Sequence, residues 1–106
     1  MTNREDQVKA LANEMRIEVL RVLDEPMRHF GEQESANPSE TGVCVQLIAA
    51  HFNVSQPTMS RHIDLLKRAN FIVTKRQQKW TYCSRNEQAL YDYANWLKQS
   101  LNIKEP

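Results

Sequence analysis

The residues best equipped for chemistry are two cysteines, Cys44 and Cys83, three histidines, and a run of basic side chains in the second half of the chain. Two thiols without CxxC spacing build neither a disulfide framework nor a zinc cage, which predicts two reduced cysteines and no metal site. There is no Gly-rich phosphate loop, no cluster of His, Cys and Asp, and no nucleophile beside a sequence-adjacent base, so neither enzymatic activity nor a cofactor is expected. The basic run is different. Between Ser55 and Arg85 stand Arg61, Lys67, Arg68, Lys75, Arg76, Lys79 and Arg85 against Asp64 alone, a net +6, and because the whole chain carries +1 the remainder carries −5. A charge cluster is often no more than a solvated face, but a basic block inside a near-neutral chain is also the footprint of a surface that meets phosphates.

The elements that would place these side chains can be read from caps and periodicity. Ser55 is a good N-cap and Pro57 falls in the first turn, where its missing N–H costs nothing, so a helix is predicted over residues 56–69. Met59, Ile63 and Leu66 form its inner face, and Pro57, Ser60, Arg61, Asp64 and Arg68 a polar outer strip. Before it, Val43, Leu47, Ile48 and either His51 or Phe52 predict a short buried helix over residues 43–52, ending at Asn53. After it, the β-branched and aromatic runs 71–76 and 80–84, parted by Gln77-Gln78-Lys79, predict a hairpin. Helix, tight turn, polar helix and basic hairpin suit duplex DNA as a partner, because the major groove admits one α-helix. The expected readers are Gln56, Thr58, Ser60 and Arg61, with Ser55 at the helix start, while Lys75, Arg76 and Lys79 attract the neighbouring phosphates. His62 either packs locally or touches a phosphate.

The rest of the chain frames this unit. Residues 6–23 read as two short helices broken near Asn13, which caps the second. Residues 24–42 hold two prolines, two glycines and five acids and read as one long polar loop, with Met27 and Phe30 pinning it to the core. After Asn86, the residues Ala89, Leu90, Tyr93, Ala94, Trp96, Leu97 and Leu101 mark a helix apolar on more than one side, whose second face is predicted to pack on another copy of the chain. A length of 106 residues, 41% hydrophobic and 25% charged, fits one soluble domain spanning 1–106. No run approaches the about 18 apolar residues that span a bilayer, and the opening residues carry no apolar signal core, so the expected location is the cytoplasm, without membrane contact.

Leu11-Ala12-Asn13-Glu14-Met15-Arg16 and Val54-Ser55-Gln56-Pro57-Thr58-Met59-Ser60-Arg61-His62-Ile63 resemble the ArsR/SmtB family of bacterial winged-helix repressors, and Lys79-Trp80-Thr81-Tyr82 resembles that family's wing strand. The likeness spans nearly all of the chain except residues 24–42. It implies a mainly α fold with a small β-hairpin, a winged helix-turn-helix of about five helices plus a two-stranded wing. It further implies a homodimer built from the first and last helices, with Val8, Leu11, Leu90, Tyr93, Ala94, Trp96, Leu97 and Leu101 at the seam, that blocks a promoter until an unidentified inducer releases it. Two recognition helices would then sit about one helical turn apart on a pseudo-palindromic operator.

The chain departs from the family at several points. Metal-sensing members carry Cys-Val-Cys where Val43-Cys44-Val45 stands here, and the last helix lacks the zinc-sensing ligands, so one thiolate is left where three or four soft ligands are needed. Thiol or metal sensing and a protein-binding module that ignores DNA remain as rival readings. Asp64 on the outer face repels phosphate unless it pairs with Arg68 or accepts from a cytosine amine, and pairing with Arg68 is expected. The wing turn lacks glycine, so Gln78 or a neighbour is expected at positive φ.

Overall fold

The computed structural model describes residues 3–30 and 42–106. Its elements are α1 (Arg4–Leu11), α2 (Glu14–Val22), α3 (Pro26–Phe30), β1 (Val43–Cys44), α4 (Val45–His51), α5 (Gln56–Arg68), β2 (Ile72–Gln77), β3 (Trp80–Arg85) and α6 (Glu87–Ser100). Asparagine punctuates most of them. Asn3, Asn13 and Asn86 each turn a side-chain oxygen onto a backbone N–H of the following first turn, satisfying a donor that the helix itself cannot. Asn53, Asn70 and Asn102 do the reverse job after α4, α5 and α6, at φ of 54°, 67° and 50°. Behind α5, Asn70 N–H donates to the Lys67 carbonyl at 2.9 Å and Phe71 N–H to the Leu66 carbonyl at 3.0 Å, the paired bonds that close a helix through a left-handed residue.

The strands form one antiparallel sheet in the order β1-β3-β2. Ile72 pairs with Arg85 at the open end of the hairpin and Gln77 with Trp80 at its tip. Gln78 takes φ of 55°, the positive value expected of a turn without glycine. Met59, Ile63 and Leu66 of α5 are buried, and they meet Val19 and Leu20 of α2, Ile48 of α4, Ile72 of β2 and Tyr93 of α6 in one core. Among the described residues no helix is long and apolar enough to cross a membrane.

The sequence reading needs correction in two places. The helix predicted from residue 43 starts at Val45, because Val43 and Cys44 pair with Cys83 and Tyr82 and add a third strand to the expected two. The segment read as one polar loop holds the short helix α3, and its residues 31–41 lie outside the described residues. With α3 the described residues contain six helices, in keeping with the about five expected.

Gly42 lies just before β1 at φ of 100°, and a Cβ there would meet the Cys83 carbonyl oxygen and the Ser84 hydroxyl, each at 2.6 Å. Gly42→Ala should therefore destabilise by about 2–4 kcal/mol through combined strain and overpacking. Gln78→Gly, at the exposed wing tip, should stabilise by about 0.5–1 kcal/mol as left-handed strain is relieved. Urea denaturation of the two variants checks both signs.

Candidate nucleic-acid interface

Helix α5 follows α4 after a turn of four residues, which makes the pair a helix-turn-helix. Its start is fixed by Ser55, whose hydroxyl oxygen accepts from Thr58 N–H at 3.2 Å and donates to the Thr58 hydroxyl at 2.9 Å. These two expected DNA contacts thus serve first as the cap. The remaining N–H groups of that turn point outward with the positive end of the helix dipole, a ready site for phosphate.

Between α5 and the β2–β3 hairpin runs an open cleft of about 340 Å³, whose polar lining includes Gln56, Ser60, Asp64, Lys67, Arg76 and Lys79. The structure thus brings four of the expected site residues, Gln56, Ser60, Arg76 and Lys79, to one groove. Arg61 and Thr58 are exposed on the helix beside it. Lys75 is exposed as well, but successive residues of a strand face opposite ways, so with Thr74 and Arg76 lining the cleft Lys75 belongs to the other face of the wing. The Lys79 ammonium sits 5.2 Å over the Trp80 ring, and Arg76 donates to the Thr81 hydroxyl at 3.3 Å. Lys67, absent from the expected contacts, follows Ser60 and Asp64 at the i, i+4, i+7 spacing of one helical strip, the signal by which it was recoverable.

Two electrostatic expectations change. Asp64 forms no ion pair with Arg68 among the described residues, because it faces the cleft with Lys67. Arg85 is not part of the phosphate-facing set: its guanidinium donates to the Leu20 carbonyl at 3.0 Å and to Glu87 at 2.9 Å, which ties the end of the wing to α2 and α6.

His62 resolves toward packing. Its Nδ1 lies 3.0 Å from Arg16 Nη1, and because guanidinium only donates, the imidazole must accept and be neutral there. Arg16 also donates from Nε to the Ala10 carbonyl at 2.6 Å and from Nη2 to the Lys9 carbonyl at 3.2 Å, so one side chain joins the end of α1 to the middle of α5. Burial, and then the Arg16 charge, lower the His62 pKa below the ordinary 6.5.

The exposed apolar residues of the first and last helices include Val8 and Leu101 from the expected seam, together with Tyr91 and Ile103, which were not anticipated. Ala94 is exposed, and Leu11, Leu90, Trp96 and Leu97 are half-buried against the core. Tyr93, expected at the seam, is buried instead within the chain, edge-on to Phe71 at 5.4 Å. Helix periodicity shows that α6 has more than one apolar side but not which side faces inward.

Cys44 and Cys83 are both buried. Val43 stands opposite Cys83 and Cys44 opposite Tyr82, so alternation places the two thiols on opposite faces of the sheet, where they cannot join. Burial, reinforced by Cys44, pushes the Cys83 thiol up to about 12. Among the described residues no group of three or more His, Cys, Asp or Glu could hold a metal ion.

No family model matches the chain. The HTH-type transcriptional regulator YbzH of Bacillus subtilis is 39% identical over 93 residues, which are 88% of this chain and 93% of that protein. The transcriptional repressor SdpR of the same organism is 40% identical over 55 residues, 52% of this chain and 61% of its own length. In fold the chain is similar to a crystal structure of an ArsR family transcriptional regulator, with a TM-score of 0.68 and 21% identity over 92% of this chain and 91% of that one.

Two measurements check the chemistry of this region. Above pH 6.5 His62 is neutral both folded and unfolded, and the Arg16 bond is at full strength; below it the unfolded chain takes up the proton first, so stability falls with pH until the lower folded-state pKa is passed. Urea midpoints should therefore drop between about pH 7 and pH 5, and His62→Gln should flatten part of that slope. Ellman's reagent at pH 8 should react with neither thiol of the native protein within minutes, and with both in urea, since the Cys83 thiol ionises only near 12. Rapid native labelling would revive thiol sensing.

Proposed function

The chain belongs to the helix-turn-helix transcriptional regulators and has a winged-helix fold similar to that of an ArsR family regulator, and from this premise we propose that it represses transcription as a homodimer released from its operator by a signal. It is a DNA-binding regulator. Helix α5 enters the major groove by its capped N-terminal end, with Gln56, Ser60 and Arg61 directed to base edges. Arg76 and Lys79 of the wing, with Lys67, hold the neighbouring phosphates, and Lys75 adds charge from the far face.

The observation that supports this reading is the convergence of Gln56 and Ser60 with Arg76 and Lys79 on one open cleft beside the exposed N-terminal turn of α5. Asp64 in the same cleft suits a specificity role, since a carboxylate repels phosphate yet accepts from a cytosine amine. For the dimer the support is that Val8 of α1, Tyr91 and Ala94 of α6, and Leu101 and Ile103 just beyond it are exposed apolar side chains that a partner copy could cover. Burial of Cys44 and Cys83 weighs against a thiol signal. The proposed location is the cytoplasm, with the DNA.

Duplexes enriched by the protein from a random-sequence pool provide the probe. Arg61→Ala should weaken binding to them by about 1–3 kcal/mol, whereas Lys79→Ala should weaken all duplexes alike and lower the salt slope by about 1. Sedimentation should give a dimer at micromolar concentration. Unchanged binding by Arg61→Ala removes its base contact, and a monomer that still binds with full affinity removes the symmetric arrangement.

A further inference from the structure

We propose that Gln7 is a positioning residue for DNA binding, coupling the Arg4–Trp96 surface of α1 and α6 to the C-terminal end of the recognition helix α5. The inference rests on α5 being the reading helix. Gln7 is a buried polar side chain, 1% exposed in the middle of α1. Its Nε2 donates to the Ala69 carbonyl at 3.0 Å, and its Oε1 accepts from Arg4 Nη1 at 2.7 Å. Ala69 is the C-cap of α5, so the carbonyl that Gln7 holds is one that the helix leaves without an internal partner. The Arg4 guanidinium in turn lies 5.3 Å over the Trp96 ring. A continuous path therefore runs from Trp96 on α6 through Arg4 and Gln7 on α1 to the last carbonyl of α5.

An apolar side chain of similar volume would fill the same space, so packing alone does not call for glutamine there. The buried apolar face of α5 sets its rotation, and a hydrogen bond, being directional, adds a fixed distance and angle between the end of α5 and α1. Arg16 provides the other tie, from the last turn of α1 to His62 in the middle of α5. Two ties along the helix hold its direction, and one leaves a pivot at His62. Loss of the Gln7 tie thus acts at the opposite end of α5, where Gln56, Ser60 and Arg61 lie, although none of them touches Gln7.

The test compares Gln7→Leu, Arg4→Met and the double variant in the full chain, with the enriched duplexes and with random duplexes, alongside thermal melting. Gln7→Leu should weaken the enriched duplexes by about tenfold and leave random-duplex affinity and salt slope unchanged, since charge is untouched; Arg4→Met should lose about threefold. The double variant should be no weaker than Gln7→Leu, because both act through one path. Equal loss on both duplex classes, or no loss, overturns the coupling. If Gln7→Leu does not fold, Arg4→Met decides, since Arg4 is only half-buried: selective loss supports the path and unchanged affinity overturns it. Failure of Arg61→Ala to affect the enriched duplexes would strike the reading role of α5, whereas failure of Gln7→Leu and Arg4→Met with Arg61→Ala effective strikes the coupling alone.

Discussion

Everything this protein presents to a partner depends on how α5 is rotated about its own axis, and that rotation is set from inside. Met59, Ile63 and Leu66 are almost wholly withdrawn from water, and burying side chains of this size is worth about 1.5–3 kcal/mol each. Turning the helix by one residue would expose them and bury Ser60, Asp64 and Lys67, a carboxylate and an ammonium among them, at a cost that no surface contact offsets. The apolar positions therefore decide which polar positions face the cleft. Exposed polar residues and core residues interleave on one helix, and the second set aims the first.

The wing is subject to a similar constraint. Arg85 stands at the base of β3 and spends its charge within the molecule, on the Leu20 carbonyl and Glu87, while Arg76 and Lys79 further along the hairpin keep theirs at the surface. A basic residue near the core lowers the wing's net attraction for phosphate but fixes the strand from which the other charges project. The charge that reaches a partner is thus smaller than the count along the chain suggests, and better placed.

What the sequence made legible, and what it hid, follows from how local each signal is. Ser55, Asn13 and Asn86 announce their helices because a cap is a contact over three residues, and α5 was readable because its polar and apolar strips both keep helical spacing. The wing turn was legible through Gln78, since a tight hairpin without glycine forces some residue to positive φ. Strand β1 was hidden because Val43 and Cys44 look alike at the start of a helix and in a two-residue strand; only pairing with Tyr82 and Cys83, some forty residues on, separates the two. Helix α3 was hidden by the prolines, acids and glycines around it. The cleft was half visible: Gln56, Ser60, Arg76 and Lys79 could be named, but that Asp64 lines the cleft together with Lys67, without an ion pair to Arg68, is a matter of tertiary geometry.

The two ties between α1 and α5 explain a further feature, that polar residues sit where a small domain could have used apolar ones. Gln7 donates to a backbone carbonyl at the end of α5, and Arg16 donates to the Lys9 and Ala10 carbonyls at the end of α1. Helix ends necessarily leave carbonyls without internal partners, and a donor from a neighbouring helix removes that deficit while fixing the distance between the two. Such bonds hold backbone to side chain, so the spacing of α1 and α5 does not depend on the identity of the exposed residues of either helix. Outward positions such as Gln56, Arg61 and Asp64 are then free to vary while the frame that holds them stays fixed, provided that Gln7, Arg16 and His62 are kept.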